Sequence, residues 1–232
     1  LFENYPFWHT FFTKLGYRVI LSPKSSKKLF ESGMDTIPSE SICYPAKMAH
    51  GHVQSLIGKG VDFIFYPAVV YEKKEDEAAD NHFNCPVGAS YPEVIRNNMD
   101  GLKDNGIKLV SPFLTFDDIS ALTKGLVKTF TSIPRDEITS AVQAGLTEAD
   151  NAKSDVRTKG EETLVYLADT GTKGILLCGH PYHADPEINH GIADMITGMG
   201  LAVLTEDSVC HLDHSEGDVA VVNQWTYHAR MY

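Results

Sequence analysis

The segment VDFIFYPAVVY, residues 61–71, constrains the fold more than any other stretch of the chain. It is apolar almost without a break, which suits a strand of a parallel sheet covered on both faces. Parallel strands cannot be joined by tight hairpins and need long crossovers, usually helices. The surrounding sequence supplies both parts. YRVILS (17–22), IKLVSPFLTF (107–116), KGILLCG (173–179), LAVLTEDS (201–208) and VAVVNQW (219–225) read as further strands.

Helical segments lie between them. The aromatic opening ends at Gly16, a C-cap residue, and SPKSSKKLFESG (22–33) gives a serine-capped short helix closed by Gly33. In YPAKMAHGHVQSLIGKG (44–60), Pro45 sits in the first turn and Met48, His52, Val53, Leu56 and Ile57 recur at helical spacing. A long polar helix follows residue 134, with Ile138, Val142 and Leu146 on one stripe. Asp185 as N-cap, Pro186 and Glu187 predict a helix start, with Ile188, Ile192, Met195 and Ile196 as its buried face. Strands alternating with helices predict an α/β fold of two Rossmann-like lobes with mainly parallel sheets, residues 1–133 and 134–232. Both ends read as cut, which predicts a piece of a longer multidomain chain. Phe2, Phe7, Trp8, Phe11 and Phe12 exceed what one helix face buries, so they pack a core or meet a partner domain.

Composition excludes several classes of function. No apolar run reaches the roughly 18–20 residues of a membrane span, and no signal peptide is visible. A formal charge of −11 disfavours a nucleic-acid partner, because phosphate binding needs clustered Lys and Arg. Four cysteines with no CxxC pair make neither a disulfide scaffold nor a zinc ribbon, and a reduced, cytoplasmic protein is expected.

Two of those cysteines share a context. Cys43 in ESICYPAKMAHGH and Cys85 in HFNCPVG each precede a proline at the start of a helix. Backbone N–H groups at such a terminus favour an anionic sulfur, as metal or cluster ligation requires. Burial as small apolar side chains is the other reading. A second dense segment, CGHPYHADPEINH (178–190), carries Cys178, His180, Tyr182, His183 and His190. It could hold zinc, receive the polar or anionic group of a ligand, or contain ordinary loop histidines. Cys210, with His211, Asp213 and His214 beside it, could bind adventitious metal but is read as having no function. DTGTKG (169–174) is a helix C-terminus and turn; no GxxxxGK[ST], GxGxxG or GxSxG motif occurs.

The phrases PFWHTFFTKLGYRVILSPKSS, IPSESICYPAKMAHGHV, GVDFIFYP, NHFNCPVGASYPEVIRNNMD and GHPYHADPEINHGIADMI resemble a region of the large activase-like proteins related to 2-hydroxyglutaryl-CoA dehydratase and its activator. The resemblance spans almost the whole chain. It implies a fold similar to 2-hydroxyacyl-CoA dehydratase subunits, in which three cysteines hold a [4Fe-4S] cluster between Rossmann-like lobes. Carried across, it assigns the first two ligands to Cys43 and Cys85. Ala68 stands where relatives carry a cysteine, so the third ligand is Cys178 or lies beyond Tyr232, and His180 stands where arginine is usual. The polar side chains of the 178–190 turn, not the resemblance, make His180, Tyr182 and His183 the expected substrate contacts.

Two functional expectations follow. One is an iron-sulfur electron-transfer module that accepts low-potential electrons from actin-like ATPase activator domains and serves a CoA-thioester substrate. The other is a binding or scaffold domain that keeps the fold and lacks the cluster.

Overall fold

A computed structural model describes residues 3–212 and 222–231. Helix α1 (Tyr5–Lys14) is followed by a stretch without regular secondary structure, then α2 (Lys27–Gly33) and α3 (Tyr44–Ile57). The next elements are strands β1 (Phe63–Phe65) and β2 (Ala68–Val69), then α4 (Pro86–Asn98) and α5 (Asp100–Asp104). Strands β3 (Lys108–Val110) and β4 (Phe113–Leu114) lead to α6 (Ile119–Thr129) and the 36-residue α7 (Arg135–Thr170). The C-terminal elements are β5 (Gly174–Leu177), α8 (Ile192–Gly198), β6 (Ala202–Thr205) and α9 (Glu206–Val209).

The fold is α/β, and the paired strands are parallel: β1 with β3, β2 with β4, and β5 with β6. The long apolar run at 61–71 is one ribbon broken at Pro67, as its partner is broken at Pro112. Proline has no N–H to give to a ladder. Pairing resumes directly, because the Tyr66 N–H donates to the Val110 carbonyl and the Ala68 N–H to that of Pro112, both at 2.9 Å.

Two cores flank this ribbon. On one side Phe7, Trp8, Phe11 and Phe12 of α1 pack against Leu122 and Leu126 of α6 and against Ile138, Ala141 and Val142 of α7. The aromatic opening is therefore core packing, with Phe7 and Phe11 fully buried; Phe2 lies outside the described residues. On the other side Ile64 and Leu109 meet Val53 and Ile57 of α3 and Tyr91 and Ile95 of α4. Helix α2 crosses α3 so closely that a Cβ on Gly51 would run into the Leu29 carbonyl. Only glycine fits there, and the crossing holds the middle of α3 against α2.

Three local expectations change. Residues 17–22 form neither a strand nor a helix. Asp185 does cap, its Oδ1 accepting from the backbone N–H groups of Glu187 and Ile188, yet the helix begins only at Ile192. His190 (φ 53°) and Gly191 (φ 73°) are both left-handed and interrupt it. Of the expected face, Ile196 is buried and Ile188 half-buried, while Ile192 and Met195 are exposed, because the two-stranded β5–β6 pair offers no second layer to cover them. Most of 219–225 lies outside the described residues. The part that is described runs beside 80–83, the Phe83 N–H donating to the Gln224 carbonyl at 2.9 Å.

Candidate functional site

Cys43 and Cys85 are the N-cap residues of α3 and α4, and both are exposed. Their backbones are extended (φ −62° and −56°), and a proline follows within the first two helical positions. Proline at that position sacrifices an N–H that has no helical partner, so it stiffens the turn without cost. The remaining N–H groups of each first turn point past the cap residue, where negative charge is favoured. Neither thiol donates to or accepts from the helix it caps.

The two thiols act electrostatically on a common neighbour. The Tyr182 phenol is raised above its ordinary value by burial and then by Cys43, Cys85 and Tyr227. Cys43 also acts on Tyr91, whose phenol is pushed up to about 12, first by burial and then by that thiol. Thiols 42 positions apart in sequence thus lie within electrostatic reach of one phenol.

A short 3₁₀ turn at Pro181–Ala184 presents Tyr182. The His180 ring stacks on it, centroids 4.9 Å apart and 8° from parallel, and lies 4.1 Å from the Tyr227 ring. His183 folds back, its Nδ1 accepting from the His180 N–H at 3.0 Å, and a side chain at Gly179 would strike its ring. Of the three residues expected to contact substrate, Tyr182 joins the cysteine pair, His180 backs it and His183 closes the turn.

The other candidates fall elsewhere. Cys178 follows β5, where burial and Glu206 raise its thiol. Burial also raises Cys210, with Arg157 opposing; Asp213 and His214 lie outside the described residues. Among the described residues no group of three or more His, Cys, Asp or Glu side chains is placed to hold a metal ion. The zinc reading of 178–190 and a Cys43–Cys85–Cys178 set therefore have no assembled site. Ala68, where a third cysteine was sought, is buried on β2.

Beside the cysteine pair opens a cavity of about 880 Å³, bordered by Pro45 and Tyr182 and floored by Met48, Val53, Leu56 and Phe65. Its polar wall was missed in the sequence. His52 lies between two serines, Nδ1 2.7 Å from Ser22 Oγ and Nε2 3.1 Å from Ser25 Oγ. Ser25 Oγ in turn donates to Asp185 Oδ2. Tyr44 donates to Glu187 Oε1 at 3.0 Å, a second tie between α3 and the 185–191 turn. Only the GHV phrase, a polar residue on an apolar helix stripe, hinted at His52.

The model of the CoA enzyme activase uncharacterised domain family matches residues 1–209. The chain belongs to that family. No curated protein and no solved structure matches the chain. The exposed cysteine pair, Tyr182 and most of the cavity lining lie within the matched residues, while Cys210 and Arg230 of that lining lie beyond them. No helix of the described residues is long and apolar enough to cross a membrane.

Proposed function

We propose that this activase domain is an iron-sulfur electron-transfer module, with Cys43 and Cys85 as its two thiolate ligands to a [4Fe-4S] cluster. The observation that carries the reading is that both thiols are exposed N-cap residues, Cys43 of α3 and Cys85 of α4, on two helices tied together by the 3.0 Å bond between His50 and Tyr91. Two exposed thiols, each at a stiffened helix N-terminus, are the donors that an anionic cluster needs. The described residues supply two ligands, so the remaining coordination comes from outside them. A cluster held there would supply one-electron chemistry at low potential.

The chain's own groups then have defined tasks. The first turns of α3 and α4 offset negative charge at the sulfurs, and the Tyr182 phenol, backed by the His180 ring, borders the site. Actin-like ATPase activator domains are the electron donor in this reading, and a CoA thioester is the acceptor's class. Two Rossmann-like lobes, 1–133 and 134–232, frame the site, and a reducing cytoplasm keeps the cysteines free.

A scaffold that has lost the cluster is the second reading, favoured by the missing third ligand among the described residues and by the buried Ala68. Anaerobic reconstitution with iron and sulfide, followed by electron paramagnetic resonance, separates the two. The module gives a reducible cluster signal that a Cys43→Ser, Cys85→Ser double variant lacks. A colourless, folded protein establishes the scaffold.

A further inference from the structure

The hydrogen bonds around His52 fix where each proton lies. The Asp185 carboxylate can only accept, so the single Ser25 hydroxyl proton goes to it. Ser25 Oγ must then accept from Nε2–H of His52, which leaves a lone pair on Nδ1. Ser22, 2.7 Å away, donates its proton to that lone pair. One direction runs through all four residues, from Ser22 through His52 and Ser25 to Asp185. Burial holds the His52 ring below the ordinary histidine value, against the pull of Asp185, so the ring is neutral and able to accept a proton at pH 7.

This is the arrangement of an activated serine: a nucleophile bonded to a base whose far side is oriented by a third group. It is recognised by geometry and role, not by sequence motif. All four residues line the 880 Å³ cavity, and its apolar floor suits a short acyl chain. We propose that Ser22 is an acyl-accepting nucleophile with His52 as its base, and that the cavity takes an activated acyl group, an ester or a thioester. Ser22 Oγ attacks the carbonyl carbon while its proton passes to Nδ1 of His52. The bond to the leaving oxygen or sulfur breaks, and His52 returns the proton to that atom. Water, deprotonated by His52, then attacks the acyl carbon; the bond to Ser22 Oγ breaks, His52 returns the proton to that oxygen, and the acyl group leaves as a carboxylic acid. Ser25 and Asp185 are positioning residues that hold the imidazolium through Nε2–H.

The test uses the 232-residue chain, a fluorophosphonate probe, and two substrates, p-nitrophenyl butyrate and the butyryl thioester of N-acetylcysteamine. Peptide mapping of the wild-type adduct needs no variant, and it should place the label on Ser22. Ser22→Ala should lose the label and the turnover, and His52→Gln should slow labelling by about 100-fold or more. Asp185→Asn keeps the turn cap but removes the charge, so the acid limb of the labelling rate against pH should move to lower pH. The substrate with the larger rate enhancement over its own uncatalysed hydrolysis identifies the ester or the thioester as the natural class. No adduct, an adduct elsewhere, or an undiminished rate in Ser22→Ala overturns the proposal. None of these readings depends on a bound cluster.

Discussion

His50 Nε2 lies 3.0 Å from the Tyr91 hydroxyl, between helices α3 and α4, and both residues are buried. His50 is seven positions after Cys43 and Tyr91 six after Cys85, so this bond sets the register of the two helices that begin at the cysteines. The Thr36 hydroxyl donates to the Gly33 carbonyl at 2.8 Å, so His50 Nδ1 donates to Thr36 Oγ1 at 2.7 Å. Nε2 then accepts from Tyr91, and the ring is neutral with both nitrogens satisfied.

Tyr91→Phe removes the hydroxyl and leaves Nε2 buried without a donor. An unsatisfied buried acceptor costs about 1–3 kcal/mol. Chemical denaturation should show a loss in that range with the slope unchanged.

Burial lowers the His50 value below the ordinary 6.5. Below that pH the unfolded chain takes up a proton that the folded ring refuses. The stabilisation from the neutral ring is whole above about pH 6.5 and declines as pH falls toward the lowered folded value. The stability margin of wild type over His50→Gln should therefore shrink between about pH 7.5 and pH 5. A margin that stays constant or widens would count against this assignment.

Gly51→Ala should destabilise, although alanine ordinarily gains about 0.5–1 kcal/mol inside a helix. The added methyl meets the Leu29 carbonyl and forces α2 off α3. A net loss of about 1–3 kcal/mol is expected from overpacking against backbone. Thermal melting checks the sign.

Phe11 is fully buried among Trp8, Phe12 and Phe130. Truncation to alanine leaves a cavity where α1 meets α6 and α7 and should cost about 3–5 kcal/mol. Denaturant midpoints of wild type and Phe11→Ala measure it.

Local rules made much of this legible in the sequence. Ser26 capping α2, Gly16 beyond α1 and proline after each cysteine follow from backbone chemistry that one segment contains, and so did the α/β alternation. What could not be read depends on distant partners. Ser25 meets Asp185 across 160 positions, and Phe83 aligns with Trp225 across 142, pairings that no periodicity announces. The delayed start of α8 has a different cause. The cap at Asp185 was visible, but the left-handed backbone at His190 is adopted by a residue that rarely takes it.

The convergence of Cys43 and Cys85 on Tyr182 is the central claim, and the titration of the Tyr182 phenol tests it most directly. Tyrosine labelled on the ring carbon that bears the hydroxyl reports this by NMR. With both thiols raising the phenol, Cys43→Ser and Cys85→Ser should each lower the Tyr182 value, and the double variant should lower it further. A Tyr182 titration unmoved by either substitution would contradict the account.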